Sequence, residues 1–182
     1  MSSFYTTEEL ESIGLKSYGE GVLISKKVSF YGAETIIIGN HVRIDDFCIL
    51  SGSITLGSHI HIGAFCAIYG SKGIVMEDYT GLSPRCTVFS ASDDFSGDFL
   101  ISPMAPLEQT NVKGGLVVVK KYSQIGAGSI IMPDLEIGEG VAVGAMSYVN
   151  KSLPEWKIYA GIPVRKIKER KRGLLMFFED EK

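Results

Sequence analysis

At 182 residues, with 45% hydrophobic and 21% charged residues, the chain is long enough for one domain with a real core and short for two. A formal net charge of −3 gives no reason to expect nucleic acid as a partner, and no apolar stretch approaches the roughly 20 residues that a membrane helix needs. The opening residues have neither a basic start nor an apolar signal core, so a cytoplasmic location is expected.

In chain order, Thr6-Thr7-Glu8-Glu9 reads as a capping box that opens a short helix ending near Gly14, within an N-terminal helical segment 1–20. A six-residue beat begins weakly at Ile24 and Phe30. It is regular through Ile38, Ile44, Leu50, Leu56, Ile62 and Ile68, and after two inserted residues it resumes at Met76, Leu82 and Val88. Residues 93–115 break the pattern: the segment is polar and holds two of the six prolines. A loop of that length in a compact repeat is usually functional or disordered. The beat returns at Val119, Ile125, Ile131, Ile137, Val143 and Val149, so the repeat unit spans 21–151. Residues 152–182 leave it, and an extended segment and a helix are expected there, carrying the basic cluster Arg165, Lys166, Lys168, Arg170, Lys171 and Arg172.

A period of six is neither helical nor a plain strand alternation. It fits a short strand followed by a tight turn, with the glycine after the first hexad residue (39, 57, 63, 126, 138 and 144) relieving the turn. Six residues cannot bury a face alone. Three units closing a triangular coil of 18 residues, then stacking about 4.8 Å apart, make a continuous core, an all-β parallel β-helix. Cys48, Cys66 and Cys86 lie 18 and 20 residues apart at the fifth place of their hexads, which predicts a ladder of small buried thiols rather than a zinc site or disulfides. The fourth and sixth places face outward. Phe47 and Phe65, with Ile49 beside them and Tyr122 continuing the column, are expected to form an outer apolar stripe of the kind that meets a partner.

The stretch from Ile125 to Arg170, ending in AGIPVRKIKER, closely resembles the hexapeptide-repeat acyltransferases. It is most similar to the galactoside, maltose and xenobiotic acetyltransferases and the nucleotide-amino-sugar N-acetyltransferases, and the likeness covers about residues 20–170. The resemblance implies a left-handed coil, a homotrimer with sites between subunits, and acetyl-CoA as donor with no metal. By the same resemblance Gly126, Ala127, Ser129, Gly144 and Ala145 line the pantetheine arm, where small residues leave the main chain approachable. Lys151, Arg165 and Lys168 match positions near the nucleotide phosphates.

The O-acetyltransferases of this family carry a histidine at the lip of the long loop, which removes the proton of the sugar hydroxyl. Here Asp93 stands at that place, within Phe89-Ser90-Ala91-Ser92-Asp93-Asp94. Three repairs are open. Asp93 or Asp94 serves as base after its pKa is raised by burial. Alternatively His59 or His61, outward on one strand with His41 eighteen residues below His59, serves from elsewhere in the trimer. In the third, no strong base is needed because the nucleophile is an amine. The last favours N-acetylation of a nucleotide-linked amino sugar destined for a surface polysaccharide, with sugar O-acetylation as the alternative. A γ-carbonic-anhydrase-like zinc protein and an inactive scaffold are the rivals from other classes; the first needs three histidines that converge.

Overall fold

The computed structural model describes residues 3–181. Thr6 caps the helix Thr7–Ile13: its hydroxyl accepts from the Glu9 amide while the Glu9 carboxylate accepts from the Thr6 amide, and Gly14 ends the helix in the left-handed conformation. Three stacks of parallel strands then form a triangular coil. One stack runs through Leu23–Ile24, Arg43–Ile44, His61–Ile62, Gly81–Leu82, Gln124–Ile125, Ala142–Val143 and Lys157–Ala160. The others run through Ile36–Ile38 and Val117–Val119, and through Thr87–Phe89, Ile130–Ile131 and Tyr148–Val149. Ile44 pairs in register with Ile62, Ile62 with Leu82, and Leu82 with Ile125. The steps are thus one coil of 18 residues, one of 20, and one that also contains the loop. The two extra residues are taken up where the Ile49–Leu56 and Ala67–Met76 strands shift register after Gly52.

The first place of each hexad faces inward, and Ile44, Leu50, Ile62, Ile68, Ile125 and Ile131 are wholly buried. So is the fifth place. The three thiols are free and buried, and each donates to the carbonyl of a second-place residue on the next coil: Cys48 to Gly63, Cys66 to Ser83 and Cys86 to Gly126, all at 3.2 Å. Ser123 and Ser129 do the same toward Gly138 and Gly144, and Ser147 donates to Gly144 three residues back on its own coil. Small residues at the fifth place are therefore also donors, helping to satisfy the corner carbonyls.

The turn chemistry differs from the expectation. The glycines of the second place do not supply the left-handed turn; the fourth place does, and it is filled by His41, Phe47, His59, Phe65, Tyr79, Arg85, Tyr122, Asp134, Met146 and Trp156, all with φ between 50° and 64°. The second place needs glycine for closeness instead: a Cβ on Gly126 would lie 2.5 Å from the Ala145 nitrogen and one on Gly39 2.5 Å from the Gly57 oxygen. Left-handed conformation costs a non-glycine residue about 1–2 kcal/mol. Ring stacking between coils, worth about 0.5–1.5 kcal/mol per pair, offsets part of this where the corner residues are aromatic.

Those stacks correct the expected outer stripe. Phe47 and Phe65 do stack, at 5.0 Å, with Arg85 over Phe65. Tyr122 belongs to a different corner, in the column His41, His59, Tyr79, Tyr122 and Trp156. Tyr122 counts as fourth from Val119, one face away from the phenylalanines. At the C-terminus, Lys157–Ala160 still joins the coil. Arg165–Glu169, in the basic cluster, returns antiparallel along it as a strand, and a 3-10 helix, Gly173–Glu181, follows. Phe178 packs against Tyr79 and Tyr122.

Candidate active site

The long loop leaves the coil directly after Thr87–Phe89. Its two ends pair as an antiparallel ribbon, Ala91–Asp93 against Val112–Gly114, which holds the loop base against the third face. Asp94 is buried at that base. Its carboxylate accepts from the Ser96 amide at 2.9 Å, the Asn111 amide group at 2.7 Å and the Lys113 ammonium at 2.9 Å. The Lys113 ammonium, then the Ser96 amide, hold its carboxyl well below the usual carboxylate range. Such a group stays ionised and occupied, which corrects its candidacy as a proton acceptor: Asp94 is the clamp of the loop.

Asp93 is the opposite case. It is half-buried, and among the described residues nothing pairs with its carboxylate. It lines a cavity of about 460 Å³ with Phe89, Ala91, Phe95, Ile130, Met132 and Tyr148. A second cavity of about 380 Å³ shares Ser92, Met132 and Tyr148 and adds the polar groups of Lys113, Asp134 and Asn150. The loop ribbon thus sets an unengaged carboxylate between an apolar recess and a polar one. Another cavity, of about 540 Å³, lies under a different corner, among Glu77, Glu136, Glu139 and Glu155 with Lys120. Its carboxylates would repel phosphates, so it is a poor place for a coenzyme.

The two other base candidates lie elsewhere. His59 is stacked between His41 and Tyr79, at 5.0 and 4.6 Å between ring centres. The His61 Nε2 lies 2.8 Å from Asp45, whose other oxygen accepts from Arg43. Neither histidine contacts Asp93 within the chain. Among the described residues no group of three histidine, cysteine or acidic side chains converges as a metal site would need.

On the opposite edge of the third face, the second-place residues Gly63, Ser83, Gly126 and Gly144 stand one above another, as the registers of the neighbouring first-place residues require. Ser83 has glycine at this place on the coil to either side of it, Gly63 and Gly126. The amides of Gly126 and Gly144 are already used by the coil, donating to Val143 and Tyr159. The next residues, Ala127 and Ala145, are exposed, and their N–H groups donate to nothing among the described residues. One coil apart, about 4.8 Å, they make a pair of free donors on an open edge. Ser129 is different: it is wholly buried, with its hydroxyl donating to the Gly144 carbonyl. Its fifth-place register turns it inward, which corrects its expected place along the pantetheine arm. Arg165 and Lys168 are exposed on the returning strand and Lys151 is exposed after Tyr148–Val149.

Sequence reasoning missed Ser83. The available signal was positional: a serine where the neighbouring coils have glycine.

No protein-family model matches the chain. The chain is 41% identical over 170 residues, 92% of its length and 88% of the relative's, to the dTDP-4-amino-4,6-dideoxy-D-glucose acyltransferase of Escherichia coli. Among solved structures it is similar to AntD, an N-acyltransferase from Bacillus cereus crystallised with dTDP-4-amino-4,6-dideoxyglucose and coenzyme A. The TM-score is 0.96 and the identity 54%, over 100% of this chain and 97% of that one. AntD has also been crystallised with dTDP and 3-hydroxybutyryl-CoA, at 55% identity and the same TM-score and coverage. Variants of AntD altered at one serine, and at an aspartate ten residues further on, are among the matching structures. Ser83 and Asp93 are the only serine and aspartate at that spacing in the present sequence. With these likenesses spanning nearly the whole coil, loop and returning strand, the chain belongs to the dTDP-4-amino-4,6-dideoxyglucose acyltransferases, hexapeptide-repeat enzymes that use a coenzyme A thioester.

Proposed function

We propose that this protein acylates the 4-amino group of a dTDP-linked 4-amino-4,6-dideoxy sugar, with Asp93 at the reacting nitrogen. The observation that carries this is the unengaged carboxylate of Asp93, held by the loop ribbon in a half-apolar recess at the ten-residue spacing from Ser83 that AntD shares. Asp93 orients the ammonium of the sugar and accepts one of its protons. The freed amine attacks the thioester carbonyl, the C–N bond forms, the C–S bond breaks, and the coenzyme leaves as a thiolate that takes up one of the nitrogen's two remaining protons, the other staying as the amide N–H. An amine needs less help than a hydroxyl, because a usable fraction is unprotonated near neutral pH. The aspartate in place of a histidine thus supports N-acylation over the O-acylation alternative.

The donor runs along the edge of Gly126, Ala127, Gly144 and Ala145. The two free alanine amides meet the carbonyls of the pantetheine arm, and Lys151, Arg165 and Lys168 meet the phosphates. Ser83 stands on this edge beside the thioester. This edge and Asp93 bound opposite sides of one face, separated by at least the three residues Thr87–Phe89, about 10 Å of strand. A site containing both is therefore best completed between two chains, which supports a homotrimer with three shared sites. A cytoplasmic enzyme supplying a surface polysaccharide fits a nucleotide-activated acceptor.

The test is release of free coenzyme A by the purified protein given acyl-CoA and dTDP-4-amino-4,6-dideoxyglucose, read with a thiol reagent and by product mass. Turnover should require the amino sugar, and light scattering should give three chains per particle. Equal thiol release with a sugar bearing only hydroxyls would sink N-acylation.

A further inference from the structure

The walls of the recess say more about the acceptor than its amine does. Resting on the function just proposed, Asp93 takes its proton from the sugar nitrogen, so the amine sits against the Asp93 carboxyl. The groups brought against the recess walls are then the ring substituents flanking the amine-bearing carbon: a hydroxyl on one side, and on the other the carbon bearing C6. The recess around Asp93 has two matching sides. Phe89, Phe95, Ile130 and Met132 are apolar, whereas the adjoining cavity offers Lys113, Asp134 and Asn150. Met132 belongs to both cavities and also packs against the core of the coil, so its side chain is fixed at one end and forms the partition at the other.

We propose that Met132, with Ile130 and Phe89, seats the C6 methyl of the sugar and thereby selects 6-deoxy acceptors over their 6-hydroxy counterparts. The polar side takes the ring hydroxyls. A C6 hydroxyl seated against Phe89, Ile130 and Met132 would lose its water and find no partner on those three side chains, which carry no conventional donor and, apart from the weak thioether sulfur, no acceptor; the polar side chains of the same cavity are Ser92, Asp93 and Tyr148. A hydrophobic recess discriminates against an added hydroxyl by up to about a hundredfold and no more, so the selection is real but finite.

The experiment compares kcat/KM for dTDP-4-amino-4,6-dideoxyglucose and for dTDP-4-amino-4-deoxyglucose, which differ by the one oxygen at C6, with the acyl-CoA held saturating. The wild type should favour the 6-deoxy sugar by at least tenfold. Met132→Gln, similar in length but able to hydrogen-bond, should bring that ratio below about threefold. Ile130→Thr, on the outward face of the same strand, is a second probe should the first variant fold poorly, and it should move the ratio the same way. A merely structural role for Met132 would lower both acceptors together and leave their ratio unchanged, which overturns the proposal, as does a wild-type ratio near one. No turnover with either nucleotide sugar would instead remove the functional assignment, and the selectivity with it.

Discussion

One bond of sequence separates the carboxylate that clamps the loop from the carboxylate that is free to react. Asp94 has three donors and Asp93 has none among the described residues, because Asp93 ends the ribbon strand whereas Asp94 lies just beyond it, where Ser96, Asn111 and Lys113 converge. Asp93→Asn should lower kcat more than tenfold with little change in acyl-CoA affinity, measured by steady-state kinetics alongside calorimetric titration; near-normal turnover would remove Asp93 from the reaction. Asp94→Asn should act through the loop, raising amide hydrogen exchange across residues 95–110 at pH 7. The pH dependence has a definite sign. The folded pKa of Asp94 lies below its unfolded value, so its stabilisation is present above about pH 4, the unfolded carboxylate range, and is lost only as pH falls through the lower folded value. Wild-type loop protection should therefore persist at pH 4, and its loss there would contradict the clamp. The sequence marked both aspartates as candidates but could not rank them, since the ranking depends on Ser96, Asn111 and Lys113 folding back onto one and not the other.

At the level of elements, the hexad beat made the strands, the inward residues and the loop legible before any coordinates. The helix cap at Thr6 and its stop at Gly14 followed from local chemistry alone. Two features were out of reach for want of a neighbour in view. Second-place glycines looked like turn residues, but the constraint on Gly126 comes from Ala145, a coil away. The basic cluster was expected within an extended segment and a helix over residues 152–182, without a choice between them; Arg165–Glu169 is a strand because the open edge of Lys157–Ala160 offers it a partner. That pairing holds Arg165 and Lys168 outward as exposed cations. Replacing both with alanine should weaken acyl-CoA about tenfold or more, by the loss of two charge-assisted contacts, with the coil's unfolding temperature little changed. Unchanged affinity by titration calorimetry would place the nucleotide elsewhere.

For the molecule as a whole, the three buried thiols give a direct readout of the coil. Cys48, Cys66 and Cys86 each donate to a carbonyl on the next coil, so the native protein should show no reaction with a thiol reagent on a minutes timescale, and all three should react together in denaturant. Stepwise labelling at intermediate denaturant would mean that the coils melt independently, as repeat arrays sometimes do. By itself the sequence determined the period, hence the triangular coil, the interior stack and the place of the interrupting loop, because a hexad repeats one local solution and each coil meets nearly the same neighbours. The tertiary structure alone decided which corner carries which aromatic column, which serine faces outward, and which aspartate is left unpaired. Those outcomes depend on contacts between residues a coil or a loop apart, where identical side chains at adjacent positions meet different partners.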